Sequence, residues 1–85
     1  MPEISRFLGI IIFMNFNDHS PPHFHAKYGD YQVTIGIKSG IVEGRFPRRA
    51  LRLVMEWYGI HKDELMDNWN SIMETGEFEK ITPLE

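Results

Sequence analysis

No cysteine occurs among the 85 residues, which excludes disulfide staples and thiolate metal ligands and suits a reducing compartment. Long apolar runs are missing too: the longest, Gly9 to Met14, is far too short to cross a bilayer, so no membrane association is expected. The opening residues, MPEISRF, lack the basic and apolar regions of a signal peptide, and a cytoplasmic location is expected. Length is also short. One domain, residues 1–85, is expected, and a chain of this size buries only about 60% of the surface its unfolded form exposes. Aromatic residues are not lacking: two Trp, six Phe and three Tyr, with five Met, supply enough apolar mass for one modest core.

A net charge of −3 hides a division along the chain. Residues 1–26 carry −1, residues 27–52 carry +4 and residues 53–85 carry −6. A domain charged in this way can present a basic face despite its acidic total.

The patterning implies an α+β fold, an antiparallel β-meander of three to four strands followed by two helices packed on one face. Residues 9–16, GIIIFMNF, are β-branched, aromatic and short, which reads as a strand; residues 4–7 either extend it or form an arm. Asn17 to Pro22 is a loop, since two prolines forbid a ladder there. Residues 23–28 alternate, with Phe24, Ala26 and Tyr28 on one face and His23, His25 and Lys27 on the other. Residues 31–38 alternate as well, and Gly29-Asp30 between them fits a two-residue hairpin turn. Ser39-Gly40 fits a second tight turn before a strand at 41–46. Pro47 then opens a helix over 47–58, which Gly59 ends as a left-handed cap. A second helix runs over 61–75, with a stripe of Leu65, Met66, Trp69, Ile72 and Met73 and a cap at Gly76.

Three of the four histidines fall within seven residues, in NDHSPPHFHAKYG, and the two expected turns fix what lies beside them. One row across the sheet is His25-Thr34-Arg45; the next is His23-Gly36-Glu43, with Gly36 leaving a hollow. Imidazoles and a carboxylate can exchange protons, and arginine can grip a phosphate at two points. His23, His25, Glu43 and Arg45 are therefore the candidate catalytic residues of a metal-independent ribonuclease, with Lys27, Thr34, Arg48, Arg49 and Arg52 as substrate- or partner-binding residues. Arg48 and Arg49 stand in the first helical turn, where the macrodipole disfavours cations. On the bland reading these groups are a solvated face, with Arg52 paired to Glu56 one turn on. The competing chemistry is a metal site with ligands Asp18, His19, His23 and His25, although that spacing matches no established signature. The acid–base reading needs no cofactor.

ISRFLGI, NDHSPPHFHAKYG and FPRRALRLVMEW together resemble a small prokaryotic family, domain-of-unknown-function family 4160, over nearly the whole chain. PPHFHA followed by PRRAL carries most of that resemblance. It implies a gene set beside that of another small protein, in pairs regarded as toxin–antitoxin modules. The compact chain, without a disordered tail, looks like the toxin. The expected function is thus a toxin acting on RNA under the control of a small cognate protein. A non-catalytic binding module, the antitoxin or regulatory half of the pair, is the alternative, and a His-cluster metal-binding protein is the third reading. Whether the chain is an enzyme stays open at this level, as does its oligomeric state.

Overall fold

A computed structural model describes residues 2–85. Five strands and one helix follow one another: β1 Glu3–Phe7, β2 Ile10–Phe13, β3 His23–Tyr28, β4 Tyr31–Gly36, β5 Val42–Arg45 and α1 Arg48–Thr75. The strands form one antiparallel sheet in the order β1-β2-β3-β4-β5, a plain meander. The α+β class and the meander are as expected, while the counts of strands and helices are not.

The additional strand comes from the turn at Leu8-Gly9. Both residues have positive φ, 52° and 81°, the backbone of a two-residue type I′ hairpin. Phe7 therefore pairs with Ile10, and the segment expected as an arm or an extension reverses to become β1. The Gly29-Asp30 hairpin forms as expected, with Tyr28 opposite Tyr31 and Gly29 at φ 59°.

The β4–β5 connection differs from the sequence reading. Thr34 pairs with Glu43 and Gln32 with Arg45, where a Ser39-Gly40 turn would pair Thr34 with Arg45. The cause lies at Ile37. Its side chain is fully buried, its N–H donates to the Pro22 carbonyl at 2.9 Å, and its own carbonyl accepts from the Tyr58 hydroxyl at 2.6 Å. Ile37 is thereby drawn out of the ladder, β4 stops at Gly36, and a longer loop brings β5 back two residues out of the expected register. An even shift leaves every side chain on its own face and changes only its neighbours.

Ile10, Ile12, Phe24, Ala26, Val33 and Ile35 bury one face of the sheet under Val54, Trp57, Tyr58 and Leu65 of α1. Trp57 lies against Phe7 and Phe24, with ring centroids 5.6 and 6.0 Å away. α1 runs for 28 residues without an intervening loop where two separate helices were expected, its two helical halves meeting at a kink. Gly59 does not end it: the backbone stays helical there, and the only departure is a bend at His61 (φ −112°, ψ 22°). Glycine lowers helix propensity by about 1 kcal/mol, which the apolar contacts on either side outweigh. Gly76, at φ 77°, closes the helix as expected, its N–H bonded to the Ile72 carbonyl.

The tail beyond Gly76 has no regular structure, yet it is fixed at three points. Asn68 donates to the Glu79 carbonyl at 2.8 Å and accepts the Glu79 N–H at 2.9 Å. Ile81 is buried and donates its N–H to the Ile4 carbonyl at 2.9 Å, covering the outer edge of β1. The Trp57 indole donates to the Thr82 carbonyl at 2.9 Å. The edge of β5 remains open.

Gly44 gives the sharpest test of the observed register. Its φ is 113°, and a Cβ there would stand 2.6 Å from the Gln32 carbonyl oxygen and 3.1 Å from the Val33 Cα. Both obstacles are backbone and cannot step aside. Gly44→Ala should therefore cost upwards of about 2 kcal/mol in chemical denaturation. Gly29→Ala, strained in φ but with nothing within 4 Å, should cost only about 1 kcal/mol. Equal costs would contradict the β4–β5 pairing.

Candidate metal centre

On the sheet face away from α1, cross-strand pairing lines up Glu3, Phe13, His25, Thr34 and Glu43 in one row. Arg6, Ile11, Lys27, Gln32 and Arg45 form the next. His23 pairs with Gly36 as expected. The four expected catalytic residues are thus divided. His23 and His25 come together, with rings 5.2 Å apart. Glu43 lies opposite Thr34, not Gly36. Arg45 is two strands across and one row along from His25, about 12 Å at Cα given ~4.8 Å between strands and ~3.4 Å per residue. The hollow expected at Gly36 is filled by the Ser39 hydroxyl, held there by the Ile41 N–H. A row of His25, Thr34 and Arg45 does not exist.

Nor do the histidines stand free on an open face. His25 is 9% exposed: its ring stacks on Phe13, with centroids 4.8 Å apart and planes 8° from parallel. The loop from Asn15 to Pro22 brings Asp18 over it. Asn15 and Asp18 close that loop on themselves, the Asp18 N–H bonding the Asn15 carbonyl and the Asn15 N–H bonding Asp18 Oδ2 at 3.3 Å. His23 lies at the start of β3, and Trp69, from α1 beyond the bend, packs beside it with centroids 5.2 Å apart.

Asp18 Oδ2 stands 3.0 Å from His25 Nε2 and 3.4 Å from His23 Nε2, and the three atoms all lie within 4.8 Å of one another. The tautomer of His23 follows from its other nitrogen. Nδ1 lies 2.8 Å from the Pro21 carbonyl oxygen, which can only accept, so Nδ1 carries the hydrogen. In the neutral ring Nε2 is then a bare lone pair aimed at a carboxylate oxygen. That nitrogen and the carboxylate are compatible either when Nε2 carries a proton, giving an imidazolium–carboxylate pair, or when both hold a metal ion. The Asn15 side-chain amide, 3.3 Å from His25 Nε2, completes the surroundings. Burial pushes the Asp18 carboxyl up, but the His25 hydrogen bond and charge, the Asn15 N–H and the His23 charge outweigh it. The net effect holds Asp18 below the ordinary carboxylate value. His25 Nδ1 is buried without a partner.

Of the four candidate ligands, Asp18, His23 and His25 converge, while His19 is exposed and outside the cluster. Lys27, Arg45, Arg48, Arg49 and Arg52 are all exposed, and among the described residues none of them forms an ion pair, including the expected Arg52–Glu56 pair. Sequence reading missed Asn15, Phe13 and Trp69 as neighbours of the histidines. Phe13 was within reach, since a half-buried strand places its residues beside those of the next, but the β2–β3 loop hid the register.

A family model described as Domain of unknown function (DUF4160) matches residues 9–70. The chain belongs to this family. The matched stretch holds Asp18, His23 and His25, together with Trp69 beside them. No curated protein and no solved structure matches the chain. No helix among the described residues is long and apolar enough to cross a membrane.

Burial turns the expected behaviour of His25 variants around. An exposed catalytic histidine could be truncated without harm to the fold. His25→Ala instead removes a stacked ring and leaves Asp18 part-buried without its closest partner, and should cost about 2–3 kcal/mol in urea or guanidinium unfolding. His23→Phe keeps a ring beside Trp69 and should stay within about 1 kcal/mol of the parent. If His25→Ala unfolds at the parent's midpoint, the loop does not cover the sheet in this way.

Proposed function

We propose that the chain works through a divalent transition-metal ion held by Asp18, His23 and His25. The observation that carries this reading is the convergence of Asp18, His23 and His25, with the His23 ring oriented by the Pro21 carbonyl so that Nε2 faces Asp18. Metal-binding histidines are oriented in this way, the second ring nitrogen donating to a carbonyl or carboxylate. The spacing supports it too. Metal–ligand bonds of about 2.0–2.1 Å in a tetrahedron put ligand atoms about 3.3 Å apart. The two separations from Asp18 Oδ2 are 3.0 and 3.4 Å, and all three ligand atoms lie within 4.8 Å of one another. Two imidazoles and one carboxylate suit zinc, cobalt or nickel, and three protein ligands leave one position for water or substrate. A water held there loses its proton near neutral pH, which is the equipment of a hydrolytic centre.

The test uses the purified chain with Co²⁺ or Zn²⁺ alone. Stoichiometric binding, a tetrahedral Co²⁺ absorption band and a raised melting temperature are expected; at 100 times Kd the stabilisation is about 2.7 kcal/mol. His23→Phe should abolish all three and still fold. Failure to bind either ion at about 1 mM removes the reading.

A toxin acting on RNA is the second reading, and one observation favours it. Lys27 and Arg45 lie on the open face in the row beside His25, exposed and unpaired, where a phosphate backbone could run past the centre. Expression of the chain alone should then arrest growth, and the protein encoded beside it should relieve the arrest. Lys27→Glu combined with Arg45→Glu should end the arrest and leave thermal unfolding unchanged. Normal growth on expression of the parent chain sinks this second reading without touching the first.

A further inference from the structure

The other end of the sheet carries a surface that neither reading uses. The meander brings the Leu8-Gly9 turn, the end of β3 and the start of α1 together there. Between them lies a groove of about 340 Å³, walled by Leu8, Tyr28, Pro47, Ala50, Leu53 and Arg49. Arg48, Arg49 and Arg52 stand on the helix that forms one wall.

Two features of this groove are costly to the isolated chain. Leu8 occupies a left-handed position (φ 52°), where Asn or Gly is the ordinary choice, and its side chain is 63% exposed. A large apolar residue is strained there and gains little burial. The first turn of α1 holds Arg48 and Arg49 and no acidic residue, although the helix dipole favours the reverse. Neither arginine finds an acidic partner among the described residues, and nor does Arg52. Folding accounts for neither feature, whereas a bound partner accounts for both.

We infer that this groove docks an acidic amphipathic segment of a partner protein. An apolar side chain of that segment fills the space beside Leu8, and its carboxylates meet Arg49 in the groove wall and Arg52 three residues further along the helix. The wall chemistry separates this occupant from a nucleic acid. Leu8, Pro47, Ala50 and Leu53 offer an aliphatic slot for a Leu, Ile or Phe side chain, while an unpaired base asks for flat aromatic platforms and here meets Tyr28 alone. Arginine forks bind carboxylates at two points, so the charged rim adds orientation as well as attraction. The metal centre lies at the opposite end of β3, and the inference stands independently of it.

Fluorescence anisotropy of the full chain with three labelled probes decides the matter. The first is a short helical peptide of Glu with Leu at i, i+3, i+4 and i+7. The second replaces each Leu by Ser, and the third is an oligouridylate of equal charge. The Glu/Leu peptide should bind in the micromolar range and weaken with salt. Both other probes should bind at least about tenfold more weakly. Leu8→Asn should lose about tenfold for the Glu/Leu peptide, and it suits the left-handed turn, so the fold is retained. Arg49→Glu with Arg52→Glu should lose as much, together with the salt dependence. Equal binding of the Glu/Ser peptide or the oligouridylate overturns the inference, as does full affinity in Leu8→Asn. Concentration-dependent self-association that Leu8→Asn abolishes would also overturn it, by showing a second copy's acidic C-terminal third as the occupant.

Discussion

Trp57 is the residue on which the arrangement depends. Its ring is fully buried between Phe7 and Phe24, and its one polar atom is bonded to the Thr82 carbonyl. One side chain thus joins the helix to strands β1 and β3 and fastens the tail that covers the edge of β1. A chain this short has one core and few redundant contacts. Placing Trp57 and Tyr58 side by side on one helix lets that element cover one sheet face. The other face is then free to carry polar groups, part of it covered by the loop from Asn15 to Pro22 and, at His23, by Trp69 from beyond the bend.

Where local rules governed, the sequence was legible. Gly29-Asp30 specified its hairpin, alternation assigned His25 and Phe24 to opposite faces, Pro47 marked the approach to the helix and Gly76 its end. The errors came where tertiary contacts chose between local options. Leu8 gives no turn signal, because its left-handed backbone is unfavourable for leucine, so residues 4–7 were read as an arm or as an extension of the next strand. Ile37 looked like one more strand residue, and only its bonds to Pro22 and Tyr58, both distant in sequence, take it out of the ladder. Gly59 resembled a cap, but in a helix packed on both sides of it the glycine is a tolerated weakness.

The site was half legible for a related reason. Histidines at alternate positions of a strand share a face whatever the register, and that much is local. Whether the face meets water depends on where the preceding loop travels. Asp18 does two things in that loop: it ties back to Asn15, which fixes the turn, and it presents Oδ2 to both imidazoles. The first is ordinary turn chemistry for an aspartate. The second was legible as the metal-site alternative, while the acid–base reading turned on Glu43 and Arg45, which the two-residue shift in β5 carries away from His23 and Thr34.

Strand β3 relates the two surfaces. It begins at His23, within the Asp18–His23–His25 cluster, and ends at Tyr28, in the wall of the groove, a span of about 17 Å at ~3.4 Å per residue. The strand is central in the sheet, paired with β4 from His23 to Tyr28 and with β2 from His25 to Lys27, so it is not an element with two alternative positions. A segment docked in the groove therefore has no evident way to reshape the histidine cluster through the strand, since coupling requires an element whose equilibrium both sites bias. It lies on the helix side, moreover, whereas Lys27 and Arg45 face the other way. Through β3, then, the groove and the histidine cluster are separable in this fold. A partner that silences the chain must reach beyond the groove to cover the open face itself.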